Sequence, residues 1–212
     1  MDITWYGHSC FRIVERGYAT VVTDPFGPNL GYEVPRLKAD IVTVSHDAPG
    51  HNHVAAVKGA RRIISGPGEY EIGEVFVIGV ATFDPNAPQP RRNVVYVFDY
   101  NTLTVAHLGD LDHVPSQAMI DALGPVDVAL VPVGGGAGLS SGQAAEVISL
   151  LEPSIVVPMH YQTPDLRGVE LEPVDRFLRE MGINTIETQG VLRVTAGALP
   201  EQTQVVLLDY QH

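Results

Sequence analysis

The stretch Val42 to His53, VTVSHDAPGHNH, places His46, Asp47, His51 and His53 within eight residues. Imidazole and carboxylate groups together are ligands for zinc, iron or manganese. Three other short stretches carry residues of the same kind: GHSC with His8, HLGD with Asp110 and VPMHY with His160. His46, Asp110 and His160 each close a run of apolar residues, namely ADIVTVSH, LTVAHLGD and SIVVPMHY. An ionisable residue straight after a buried strand stands at the rim of a sheet, and several such rims on one edge build a site.

Histidine alone is weak evidence, since most histidines are surface residues or hydrogen-bonded core groups. His107 lies inside an apolar run and reads as structural. His113 and His212 read as exposed, and His53 as a solvent-facing residue at the start of a helix. Cys10 follows His8 by two positions, but no acid completes a nucleophilic pair, so a cysteine nucleophile is not expected. The glycines of VPVGGGAGLSSG lack the Lys and Thr spacing of a phosphate-binding loop.

The elements that must position these residues follow from pattern. MDITWYG, SCFRIVE, YATVVTDPF, ADIVTVSH, RRIISG, EVFVIGVATF, NVVYVFDY and LTVAHLGD are runs rich in β-branched or aromatic residues and bounded by Gly, Pro, Asn and Asp, which is strand chemistry. The second half alternates. PSQAMIDALG, SSGQAAEVISLLEP (Ser141 as N-cap, Pro153 as stop) and PVDRFLREMG (opened by Pro173, closed by Gly182) read as helices. VDVALVPVG and SIVVPMHY are nearly continuous apolar runs, as expected of strands buried on both faces. GVLRVTAG and TQVVLLDY return to strand. Many strands followed by helix–strand alternation predict an α/β protein, a four-layer αββα sandwich, with residues 1–212 as one domain. DPNAPQPRRN reads as an exposed loop.

Composition bounds the function. With 212 residues the chain is long enough to bury a large core, and its formal net charge of −12 disfavours both nucleic acid and anionic membranes as partners. The single cysteine excludes an internal disulfide. No apolar run approaches the roughly 20 residues needed to span a bilayer. MDITWYGHSC has no basic-then-apolar leader pattern. A soluble cytoplasmic protein is the expectation.

Taken together and in order, ITWYGHSCFRI, TDPF, ADIVTVSH, HLGD and VPMHY resemble the metallo-β-lactamase superfamily, in particular its ascorbate-6-phosphate-lactonase-like branch of zinc-dependent hydrolases. The resemblance covers nearly the whole chain and implies the αββα fold. It implies a His-x-His-x-Asp-His signature, of which His46 and His51 match the ends, while Ala48 and Gly50 occupy the second-histidine and aspartate positions. Asp110 matches the bridging carboxylate and His160 the last histidine; the intervening histidine has no counterpart. The implied ligand set is therefore His46, His51, Asp110 and His160, with His51, Asp110 and His160 as the better-preserved half. That set suits one zinc or manganese ion at most, or none. Asp110 and His46 are the implied catalytic residues, with His8 as another acid or base. Relatives often form homo-oligomers, so self-association is a further expectation.

Two functions follow. One is a metal-dependent hydrolase of a small ester, lactone or phosphorylated metabolite. The other is a non-catalytic scaffold that binds a small molecule or a protein and has lost the dinuclear centre.

Overall fold

The structure, a computed structural model, describes residues 1–83 and 91–211. His212 and most of the Pro-rich loop lie outside the described residues.

Two sheets carry the fold. The first has six strands in the order Leu192–Arg193, Asp2–Trp5, Phe11–Val14, Val21–Thr23, Ile41–Thr43 and Arg62–Ile64. Its first three pairings are antiparallel and its last two parallel. The second has seven strands: Gln204–Val205, Ile155–Met159, Val128–Pro132, Thr104–His107, Asn93–Asp99, Val75–Thr82 and Gly68–Ile72. Its parallel members run from Thr104–His107 to Gln204–Val205. The expected TQVVLLDY strand is split, because Leu207–Leu208 leaves this sheet to pair with Thr188–Gln189.

Period-2 alternation decides which side chains fill the space between the sheets. Ile3, Trp5, Phe11, Ile13, Val21 and Ile41 point inward to meet Val95, Val97, Val105 and Ala129 in the main core. Their neighbours Cys10, Val22 and Val42 point outward and pack beneath Phe26, Leu30, Tyr32, Leu37 and Val57. The cover on that outer face contains two short 3-10 turns, Pro28–Leu30 and Val54–Ala56. α1 (Gln117–Leu123), α2 (Ser141–Leu151) and α3 (Val174–Glu180) belong to the second half, where α2 packs on Val128–Pro132 and α3 on α2. Covered on both faces, Val128–Pro132 and Ile155–Met159 are buried throughout, which explains their unbroken apolar sequences.

The N-cap of α2 is Ser140 and not Ser141. Ser140 and Gln143 form a reciprocal capping box, while Ser141 is the first helical residue and is buried. α2 buries Ala144, Val147, Ile148 and Leu151 along one stripe. Glu152 then turns left-handed at φ 47° before Pro153. α3 starts after Pro173 and ends before Gly182, as expected.

Candidate metal centre

Each strand that the sequence pattern ends in a polar residue delivers that residue to one edge. Asp24 follows Val21–Thr23, His46 follows Ile41–Thr43, Asp110 follows Thr104–His107 and His160 follows Ile155–Met159. These are carboxyl ends of parallel strands, where open sheets place their sites. His8 joins them from the turn between the first two strands. His8, Asp24 and His160 hold φ values of 50°, 37° and 53°. For residues with a β-carbon the left-handed region costs roughly 1–2 kcal/mol, a strain that characteristically persists where side chains are aimed for function.

Asp24 is fully buried and organises the floor of the site. It accepts from the Ser45 backbone N–H at 2.7 Å, from Ser45 Oγ at 2.5 Å and from His51 Nδ1 at 2.8 Å. Because Ser45 spends its proton on Asp24, His46 Nδ1–H must be the donor in its 3.0 Å contact with Ser45 Oγ. The network thus assigns both His46 and His51 the tautomer that leaves Nε2 bare. Burial pushes Asp24 upward, but the facing His107, His51 and Ser45 outweigh it and hold its carboxyl below the ordinary value.

Asp110 is positioned through its backbone. Its N–H donates to Asn93 Oδ1 at 2.9 Å, and Asn93 Nδ2 donates to Thr82 Oγ1 and Leu108 O. Gly109 before it sits at φ 63°, and a β-carbon there would meet Asn93 Oδ1 at 2.3 Å. Asp110 Oδ2 is paired with the Arg91 guanidinium, which also donates to Ala137 O at 2.6 Å. Burial opposes ionisation of Asp110, yet His160, His51 and Arg91 hold its carboxyl at about 2. Of these, only Arg91 is a permanent charge.

His8, His46 and His160 are kept neutral. Burial, with the neighbouring imidazoles adding to it, pushes His8 well below its ordinary value. Burial likewise brings His46 and His160 to about 4, against the opposing pull of Asp110. Neutral imidazoles are the form that binds metal.

His8 Nε2 faces His51 Nε2 at 3.2 Å, His160 Nε2 stands 3.7 Å from Asp110 Oδ1, and His46 Nε2 stands 3.9 Å from Asp110 Oδ2. Two donors on one tetrahedral ion, each about 2.1 Å away, stand about 3.4 Å apart. His8 Nδ1, His160 Nδ1 and Asp110 Oδ1 are buried without a hydrogen-bond partner among the described residues. Convergent, buried, part-unsatisfied N and O donors fit a transition-metal ion. They line a cavity of about 490 Å³, and a neighbouring hollow of about 810 Å³ shares His46 and Arg91 with it.

The four residues expected as ligands, His46, His51, Asp110 and His160, are brought together with His8. Ala48 and Gly50 line the same cavity and offer no side-chain donor. His107 is structural, as expected: its Nε2–H donates to Ser9 O at 2.8 Å and its Nδ1 accepts from Gly109 N–H. Two minor expectations are corrected. His113 is half-buried, because its ring turns onto the carboxylate of the neighbouring Asp112. His53 is half-buried beside Gly27 and precedes a single 3-10 turn, with no α-helix there. Sequence reasoning misses Arg91, which follows the Pro-rich segment, and Asn93, the first residue of its strand. Asp24 carried only the strand-end signal of TDPF.

Residues 2–160 match the family model described as Beta-lactamase superfamily domain. A UPF0173 protein of Pyrococcus furiosus is 31% identical over 184 residues, covering 77% of this chain and 84% of its own. A UPF0173 metal-dependent hydrolase of Thermoplasma acidophilum is 28% identical, covering 78% and 85%. A crystal structure from Thermotoga maritima, described as a candidate Zn-dependent hydrolase of the metallo-β-lactamase superfamily, is 38% identical with a TM-score of 0.81 and covers 99% of both chains. The chain therefore belongs to the metallo-β-lactamase superfamily, within its UPF0173 group.

Proposed function

We propose that this protein is a hydrolase of a small anionic ester, lactone or phosphorylated metabolite, working with a single zinc or manganese ion. The observation that carries this reading is the convergence of His8, His46, His51, His160 and Asp110 on one cavity at the carboxyl ends of the strands. A bound divalent ion supplies Lewis acidity toward a carbonyl or phosphoryl group and makes water more acidic.

The chain's own residues provide the rest. His46 Nε2 is bare and faces the cavity, so it accepts the proton of an attacking water. The imidazolium that results is steadied through Nδ1–H by Ser45 and, beyond it, Asp24. Protonated His46 can then return the proton to the leaving group. Arg91 stands at the mouth with a third of its side chain exposed, and Arg92 lines the adjoining hollow beside it. On a protein of charge −12, this local pair of guanidinium groups favours a substrate with a carboxylate or phosphate.

The test is hydrolysis of a panel of nitrophenyl esters, phosphate mono- and diesters and lactones by chelator-stripped and zinc- or manganese-restored protein. Turnover that disappears with chelator and returns with metal supports the reading. A second reading, a small-molecule-binding scaffold, is favoured by the missing donors at Ala48 and Gly50. Fully metal-loaded protein that turns over no member of the panel supports that reading instead.

A further inference from the structure

The cavity holds two overlapping donor triads, His8–His51–His160 and His46–His51–Asp110, each with its donor atoms within 4.8 Å of one another. They share His51. His51 has one nitrogen to offer, because Nδ1 is spent on Asp24. One bare nitrogen serves one ion, so the triads are alternatives and not a pair.

Three features choose between them. Arg91 is paired with Asp110, so the second triad already holds a full positive charge on its only carboxylate. A divalent ion placed there meets that charge at close range. The first triad contains three buried imidazoles, whereas His46 of the second is only half-buried. Lastly, a β-carbon at Gly50 would stand 2.9 Å from His8 Nε2. The ring of His8 thus fills, from the turn between the first two strands, the space that a side chain at position 50 would need. It is held there by its own backbone: His8 O accepts from the Trp5 indole N–H at 3.0 Å and from His160 N–H at 3.1 Å.

We infer that the single metal ion is held by His8, His51 and His160, and that the Arg91 guanidinium stands in for a second cation on Asp110. This inference rests on the reading of the cavity as a metal centre. It replaces Asp110 by His8 in the ligand set that sequence reasoning favoured. Three imidazoles with an open fourth position suit zinc. His46 is left free for proton transfer, and Asp110 for holding Arg91 at the mouth.

The experiment uses the full chain, stripped and reloaded with zinc or cobalt(II), with metal content read by mass spectrometry and the site by cobalt absorption. The wild type is expected to bind one equivalent. His8→Ala and His51→Ala are expected to weaken binding by more than the about 10–100-fold that loss of an outer partner costs, while His46→Ala keeps its equivalent. His8→Cys guards against a His8→Ala variant that fails to fold. With cobalt it is expected to show a new sulfur-to-metal charge-transfer band, which arises only if residue 8 touches the ion. One equivalent in wild type and in His8→Ala, with no such band in His8→Cys, overturns the ligand set while leaving the metal centre intact. Two equivalents in the wild type overturn the role given to Arg91. No binding by the wild type removes the metal centre itself and this inference with it.

Discussion

His51 turns Nδ1 onto Asp24 at 2.8 Å, and Nε2 consequently faces His8 across 3.2 Å. One buried carboxylate thereby sets the tautomer of the imidazole on which both donor triads depend. The same carboxylate reaches His46 through Ser45.

Asp24→Asn replaces an acceptor by an amide whose N–H₂ faces two donors. His51 must then take the other tautomer or lose the contact. Zinc affinity, read by competition with a chromophoric chelator, is expected to fall by about 10–100-fold, with loss of thermal stability. Unchanged affinity would show that Asp24 does not orient His51.

Gly109→Ala tests how Asp110 is placed. Its backbone is left-handed, and a β-carbon would also meet Ser45 Cβ at 2.6 Å. Strain and overlap together are expected to cost more than about 2 kcal/mol in urea unfolding. Ser140→Ala, which removes the capping box of α2 at a residue that does not line the cavity, should cost only about 1 kcal/mol. It should also leave metal binding unchanged. Equal costs for the two would argue against the tight backbone fit at Gly109.

His46, Asp110 and His160 could be read from the sequence because each ends a buried strand, and His51 because it closes the same loop as His46. That is a local signal, and the fold only has to bring the strand ends together. His8 as a ligand could not be read this way. Its partners His51 and His160 are remote in sequence, and only the Gly50 gap and the turn at Gly7 bring its ring beside theirs. Arg91 was hidden for another reason. A Pro-rich segment carries no periodicity, so nothing in the sequence marks Arg91 as facing the cavity. The two-sheet architecture was legible because strand alternation and buried strands are periodic. The outer cover of the first sheet was not, because it is built from single 3-10 turns and loop.

Arg91→Ala is expected to raise KM for anionic substrates about tenfold or more, with little change for neutral esters of the same leaving group. Steady-state kinetics on matched neutral and anionic substrates makes the comparison. An equal effect on both would remove the anion-binding role of Arg91.

In chelator-stripped protein, burial holds His46 and His160 at about 4, and His8 is also lowered. The unfolded chain protonates its histidines near 6.5. Between these values the unfolded state binds more protons. Stability is therefore full above about pH 6.5 and falls as the pH drops toward about 4. Urea midpoints at pH 7.5, 6 and 5 should decline in that order. A midpoint that is flat down to pH 5 would mean that the imidazoles are not held neutral by burial.

One metal ion is expected on three imidazoles, with a guanidinium beside it. Anomalous diffraction at the zinc edge from crystals of the zinc-loaded protein tests it most directly. A single peak is expected about 2.0–2.1 Å from a ring nitrogen of each of His8, His51 and His160, with Arg91 still on Asp110. Peaks bridged by Asp110, a peak on His46 and Asp110 alone, or no peak in the cavity would contradict it.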